Sequence, residues 1–218
     1  MQSPTEHYVP ALSYDWLTPF YDSVIRWTMP ELRIKRQLIQ QAQIKKDYRV
    51  LDLGCGTATL TLLVKKTHLD AHVIGIDGDA KILIIARRKA IDEGLDVTFD
   101  QGMAFNLPYE NASYDRIVSS LVFHHMKTDN KAKALKEAHR VLRPGGELHI
   151  ADFGKPQNVL MTFASVPWRI FDGKTTADNV KGLLPELMRH AGFLEVHESV
   201  RYMTVFGTLS LYASRKAK

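Results

Sequence analysis

Apolar positions along this chain fall into short runs that alternate with longer amphipathic stretches. Val50, Leu51 and Leu53 make the first compact run, so Arg49–Leu53 reads as a strand, and Thr57–His68 reads as the helix after it. Ala71–Ile76 is a second strand, closed by Asp77-Gly78-Asp79. Asp79 suits the N-cap of a helix that buries Ile82, Leu83 and Ala86 and ends near Gly94. Val97–Phe99 is a short third strand, and Tyr114–Val122 a fourth with Ile117, Val118 and Leu121 inside. The spacing predicts a helix over Asn130–Leu142, stopped by Arg143-Pro144-Gly145-Gly146, and a fifth strand over Glu147–Asp152. Residues 155–178 break the rhythm with Trp168, Phe163 and Phe171, and a last helix over Asn179–His190 ends at Ala191-Gly192. Leu194–Met203 and Thr208–Ser214 follow, joined closely enough to form an antiparallel hairpin on the sheet edge.

Strands separated by roughly 10–15 helical residues imply right-handed crossovers and a mostly parallel sheet with helices on both faces. The fold class is therefore α/β, Rossmann-like, with a reversed strand at the C-terminal end. A segment over about 1–46, read as helical, precedes this α/β domain over 47–218.

The chemistry concentrates where the first strand ends. Asp52 stands before a turn made by Gly54 and Gly56 around Cys55, and a helix follows at once. Such a strand, glycine turn and helix N-terminus make a nucleotide-sized seat. The third glycine of a dinucleotide loop is missing, because Ala58 and Thr59 follow Thr57. A carboxylate at Asp52 would repel a pyrophosphate and suits an ammonium or sulfonium, which points to S-adenosylmethionine. Ligands of open α/β sheets bind outside the carboxyl ends of the strands, and that rule gathers Asp52–Thr57, Asp77–Asp79, Gly102–Leu107 and Ser119–His125 into one cleft. Asp77 can accept both ribose hydroxyls there, and it would repel a 2′-phosphate.

At 218 residues, with 45% hydrophobic and 24% charged residues, the chain suits one globular domain. No apolar run approaches the roughly 20 residues that span a bilayer. The N-terminus lacks the layout of a secretory signal, and the single cysteine, Cys55, leaves no intramolecular disulfide or cysteine metal cluster, so the expected location is cytoplasmic. The net charge of +5 comes from scattered lysines and arginines without interleaved aromatics, so no nucleic-acid groove is indicated. Those cations are either solvated helix faces or an attraction to an anionic partner or membrane surface.

Six blocks in order resemble the class I S-adenosylmethionine-dependent methyltransferases. The resemblance is to the methyltransferase type 11 group, which includes ubiquinone/menaquinone C-methyltransferases. They are Val50–Thr57, Gly75-Ile76-Asp77, Gly102–Tyr109, Ser113–Val118, Phe123-His124-His125 and Arg140–Leu148. The resemblance implies a seven-stranded sheet whose last strand is antiparallel. It implies that Gly54, Cys55 and Gly56 let the backbone approach the methionine moiety, with Asp52 facing its amino group directly or through water. It places Asp77 on the ribose, Gly78 beside the adenine, Met103, Ala104 and Phe105 about the adenine's other side, and Ser120 and Leu121 along the methionine side. Relatives carry an acid where this chain has Met103, whose thioether packs on a ring edge instead. Tyr21, followed by Asp22, resembles a pair that folds over the cofactor, which makes residues 1–46 a lid or substrate segment and 155–178 a substrate-covering insertion.

The expected reaction is methyl transfer by in-line SN2 displacement from S-adenosylmethionine to a small acceptor, hydrophobic or aromatic, leaving S-adenosylhomocysteine. Catalysis needs no fixed triad; His124, His125 and Tyr21 are the side chains available as a base. Adjacent histidines point apart, so no metal site is expected. A silent cofactor-binding protein, a methyltransferase acting on RNA or protein, and an NAD-dependent oxidoreductase are the competing readings. The sequence leaves the oligomeric state open.

Overall fold

The computed structural model describes residues 31–164 and 178–218. Tyr21 and most of the N-terminal segment, together with residues 165–177 of the insertion, lie outside the described residues.

The chain runs α1 (Glu31–Ala42), β1 (Arg49–Leu53), α2 (Thr59–Thr67), β2 (His72–Asp77), α3 (Ala80–Asp92), β3 (Thr98–Gln101), β4 (Tyr114–Ser120), α4 (Thr128–Val141), β5 (Leu142–Phe153), α5 (Val159–Ala164), α6 (Leu184–His190), β6 (Leu194–Thr204) and β7 (Gly207–Arg215). The seven strands lie in the order β3-β2-β1-β4-β5-β7-β6. β1 to β5 pair in parallel, while β7 is antiparallel to both β5 and β6. β6 therefore takes the outer edge and the chain returns to fill the slot beside β5.

Strand alternation distributes the core. Leu51, Leu53, Ile117, Leu148, Ile150 and Tyr212 face Ala134, Leu135 and Ala138 of α4 and Leu184 and Met188 of α6. Val50, Val118, Ala151, Leu209 and Leu211 face the other way, against Ile34, Leu38, Ile39 and Ala42 of α1 and Leu60 and Val64 of α2. At roughly 1.5–3 kcal/mol for each fully buried Leu, Ile or Val, these two layers dominate the stability of the fold. α1, the end of the expected N-terminal segment, is thus packed on the sheet.

Several boundaries differ from expectation, each for a local reason. β4 stops at Ser120 because Leu121 takes φ 60°, a left-handed value that leaves the ladder. β3 starts one residue later and ends two residues later than expected. The helix α4 ends at Val141, and pairing resumes at Leu142 against Tyr114; Arg143-Pro144-Gly145-Gly146 then bulges out before Glu147 meets Arg116. Gly145 (φ 74°) donates to the carbonyls of Lys216 and Ala217, which ties the bulge to the C-terminus. The continuous helix expected over Asn179–His190 is instead split into a helical stretch at 178–181 and a separate α6. Gly182 at φ 78° breaks it, and Pro185 starts the next turn, where its missing N–H costs nothing. Ile82 is only half-buried, while Leu83, Ala86 and Ala90 carry the packing of α3. Among the described residues no helix is long and apolar enough to cross a membrane.

Candidate functional site

The ends of β1, β2, β4 and β5 meet at one rim of the sheet. The glycine turn is held by backbone bonds: Gly54 and Cys55 both donate to the Ile76 carbonyl (2.9 and 3.0 Å), and Ala58 to that of Cys55 (2.9 Å). Gly54 has φ 73°, and a Cβ there would lie 2.5 Å from a Val122 methyl, so glycine is required twice over. Gly56 differs. It also has positive φ, yet a Cβ would meet nothing within 4 Å, so the backbone is open on that side. Cys55 turns inward against Gly75 and Phe99, and burial pushes its thiol up, so it takes no part as a nucleophile.

Asp77 at the tip of β2 receives the Gly56 N–H at Oδ2 (2.9 Å) and the Asp79 N–H at Oδ1 (3.0 Å). It therefore shapes the turn as well as facing the cleft. Burial pushes its carboxyl above the ordinary range, against the pull of those two donors. Each oxygen keeps a second lone-pair site for a hydroxyl. Asp79 caps α3 through Lys81 and Ile82, and Gly78 accepts a bond from the Gln101 amide (3.4 Å).

Asp52 lies on the α2 side of β1, with 1% exposure. The Thr61 hydroxyl donates to its Oδ2 at 2.6 Å. Burial pushes this carboxyl up to about 6, with the Thr61 hydrogen bond opposing the rise. Two inward carboxylates thus bracket an open glycine turn, and neither Asp52–Thr59 nor Ile74–Ala80 carries a lysine or arginine. That set fits a cationic nucleoside and is ill suited to a phosphate.

After β4, Leu121 sits strained at φ 60° and donates to the Ala151 carbonyl (2.8 Å), while half-buried Ser120 pairs with Ala151. The next residues form a short 3₁₀ turn, Phe123–His125, organised around Asp152. Oδ2 of Asp152 receives the N–H groups of Val122, Phe123 and His124 at 3.1, 2.7 and 3.3 Å, and Oδ1 receives the Phe153 N–H at 2.7 Å. The His124 Nδ1 lies 2.8 Å from Oδ1. Burial opposes ionisation of Asp152, but the His124 ring and the ring of donors outweigh it and hold the carboxyl below its ordinary range. With Asp152 ionised, His124 donates from Nδ1, which directs Nε2 away from the pair. The His125 ring lies 3.8 Å from that of His124 and is tilted by 42°, so the adjacent histidines do not point apart as expected, and burial, then this neighbour, push His125 down to about 3. Asp152 escaped the sequence reading, although an acid closing a parallel strand, as Asp77 does, was the available signal.

On the β3 side, Met103, Ala104 and Phe105 are half-buried in a turn closed by Asn106 N–H to Met103 carbonyl (2.9 Å). Glu137 of α4 accepts the Leu107 N–H at 2.8 Å, and Arg140 binds the carbonyls of Leu107 and Tyr109. This clamp positions the turn. No local pattern marks it, because its two sides are some thirty positions apart. Asn179 Oδ1 and Ser210 Oγ, both buried near the end of β5, have no hydrogen-bond partner among the described residues. Among those residues no group of three or more His, Cys, Asp or Glu is placed to hold a metal.

The architecture is that of YcgJ from Bacillus subtilis, with a TM-score of 0.72 over 85% of this chain and 99% of that one, at 18% identity. That likeness defines the class by fold, a Rossmann-like α/β sheet. Residues 50–146 match the family model described as a methyltransferase domain. A demethylmenaquinone methyltransferase of Thermus thermophilus is 36% identical over 142 residues, covering 64% of each chain. A ubiquinone/menaquinone biosynthesis C-methyltransferase, UbiE, of Bdellovibrio bacteriovorus is 38% identical over 121 residues, covering 56% of this chain and 51% of that one. Over residues 50–146 the chain thus resembles the methyltransferase domains of these relatives. It spans less than two thirds of the length of either curated relative.

Proposed function

We propose that this protein transfers a methyl group from S-adenosylmethionine to a small, apolar or aromatic acceptor. The observation that carries the reading is the pair of acids, buried Asp52 and half-buried Asp77, around a glycine turn whose Gly56 side is open. When bound, S-adenosylmethionine supplies a methyl group already activated on a sulfonium. Asp77 would accept the ribose hydroxyls, buried Asp52 would answer the amino group directly or through water, and the backbone of Gly54 and Gly56 would approach the methionine moiety. Ala104 and Phe105, fixed by the Glu137–Arg140 clamp, would flank the adenine, with Met103 on the ring edge, and Leu121 and Ser120 would line the methionine side.

The chain's further contribution is alignment and exclusion of water. His124, oriented by Asp152, is the side chain suited to take a proton at Nε2 from an acceptor hydroxyl or acidic carbon. The names of the Thermus and Bdellovibrio relatives point to quinone-type acceptors, which supports a flat apolar ring as the substrate class here. A cytoplasmic location, the default for a chain with one cysteine, belongs to the same reading.

Calorimetry with S-adenosylmethionine, S-adenosylhomocysteine and NAD tests the cofactor. Binding of the first two alone is expected; a preference for NAD would overturn the reading. Binding without turnover on any quinol, phenol or amine panel would favour a silent cofactor-binding protein.

A further inference from the structure

Two segments leave the reactive rim side by side. After Phe153, the Gly154 N–H bonds the Thr208 carbonyl (3.0 Å) and the Gln157 N–H bonds the Thr208 hydroxyl (3.1 Å). The Asn158 amide reaches the Met203 sulfur at 3.5 Å. These contacts lay the start of α5 against the β6–β7 turn. Each segment then turns large apolar side chains to water: Val159 is 72% and Leu160 67% exposed, with Met203 at 59% and Val205 at 62%. Isolated exposed apolar residues are ordinary, but four from two adjoining segments form a patch that needs a partner.

The charge beside the patch is mostly basic. Residues 153–162 and 199–208 contain Lys155 and Arg201 and no carboxylate. Arg201 is paired with Glu198 at 2.6 Å, whereas Lys155 is exposed, and its side chain lies against Gly182, next to exposed Lys181. Apolar tips beside exposed lysines are the chemistry that enters the headgroup region of an anionic bilayer. The segment carrying Val159 and Leu160 also follows directly on the end of β5, where Asp152 stands.

We infer that the α5 start and the β6–β7 turn form a docking surface for anionic lipid bilayers, inserting Val159, Leu160, Met203 and Val205 beside the rim. This placement rests on the proposed apolar acceptor for its purpose, but the docking itself does not require the cofactor reading.

The test is co-sedimentation of the full chain with phosphatidylcholine vesicles, with and without phosphatidylglycerol. Binding is expected only with the anionic lipid, weakening as salt is raised. Leu160→Asp combined with Val205→Asp should lower the partition coefficient more than tenfold, and Lys155→Gln about fivefold. Binding of S-adenosylhomocysteine should be unchanged in both, so loss of docking and loss of the cofactor site are read separately. No vesicle binding, equal binding to neutral vesicles, or indifference to the substitutions would overturn the inference. A concentration-dependent dimer abolished by the same double substitution would also overturn it, by assigning the patch to a second copy of the chain.

Discussion

Replacing Asp52 with Asn should make the protein more stable and its cofactor affinity weaker. Asp52 is 1% exposed, and burial lifts its carboxyl from 3.8 to about 6. That gap corresponds to about 3 kcal/mol. The folded state holds more protons than the unfolded one between those two values, so the contribution of Asp52 is most favourable below about pH 4. It declines as pH rises through about 6, and near neutrality the ionised carboxylate opposes folding by about 3 kcal/mol. Asn keeps an oxygen for the Thr61 hydroxyl and carries no charge, so it escapes this penalty. Urea denaturation should therefore show Asp52→Asn more stable by up to about 3 kcal/mol near neutral pH, with the gain vanishing below about pH 4. Calorimetry should show S-adenosylmethionine binding weakened by about tenfold or more, since an ammonium loses a charged partner. A gain that persists in acid would refute the titration reasoning. Unchanged affinity would refute the assignment of Asp52 to the amino group.

Other outcomes follow from single contacts. Gly54→Ala should destabilise by more than 2 kcal/mol, because the new Cβ meets stiff Val122, and Val122→Ala should recover part of the loss in a double-mutant cycle. Gly56→Ala, with open space and only positive φ against it, should cost about 1 kcal/mol by denaturant titration. Asp152→Asn should cost about 3 kcal/mol or more, because one amide oxygen cannot serve four backbone donors and the His124 ring. Glu147 is held down to about 2 by the His149 hydrogen bond, then by Arg116 and Arg215, so its support is present above pH 4.5 and lost as pH falls toward 2. Thermal unfolding of Glu147→Gln should accordingly depend less on pH in that window than unfolding of the parent protein.

Alternating apolar runs, the acid before a glycine turn and the reversed C-terminal hairpin were all legible in the sequence, because each depends on neighbours a few positions apart. Periodicity reports which face is buried, and a glycine next to a strand end reports a turn no other residue makes well. That was enough for the sheet, its mostly parallel sense and the Asp52–Gly56 and Asp77 loops. Only the tertiary structure decided what those acids touch. Asp77 grips Gly56 from the next strand, Asp52 is sealed under Thr61, and Asp152 gathers three N–H groups from a turn nearly thirty residues earlier. The same holds for Leu121 in a left-handed conformation and for the break at Gly182. Local propensity carries no information about partners supplied by another strand, and the burial that moves a carboxyl's titration exists only once the layers have closed.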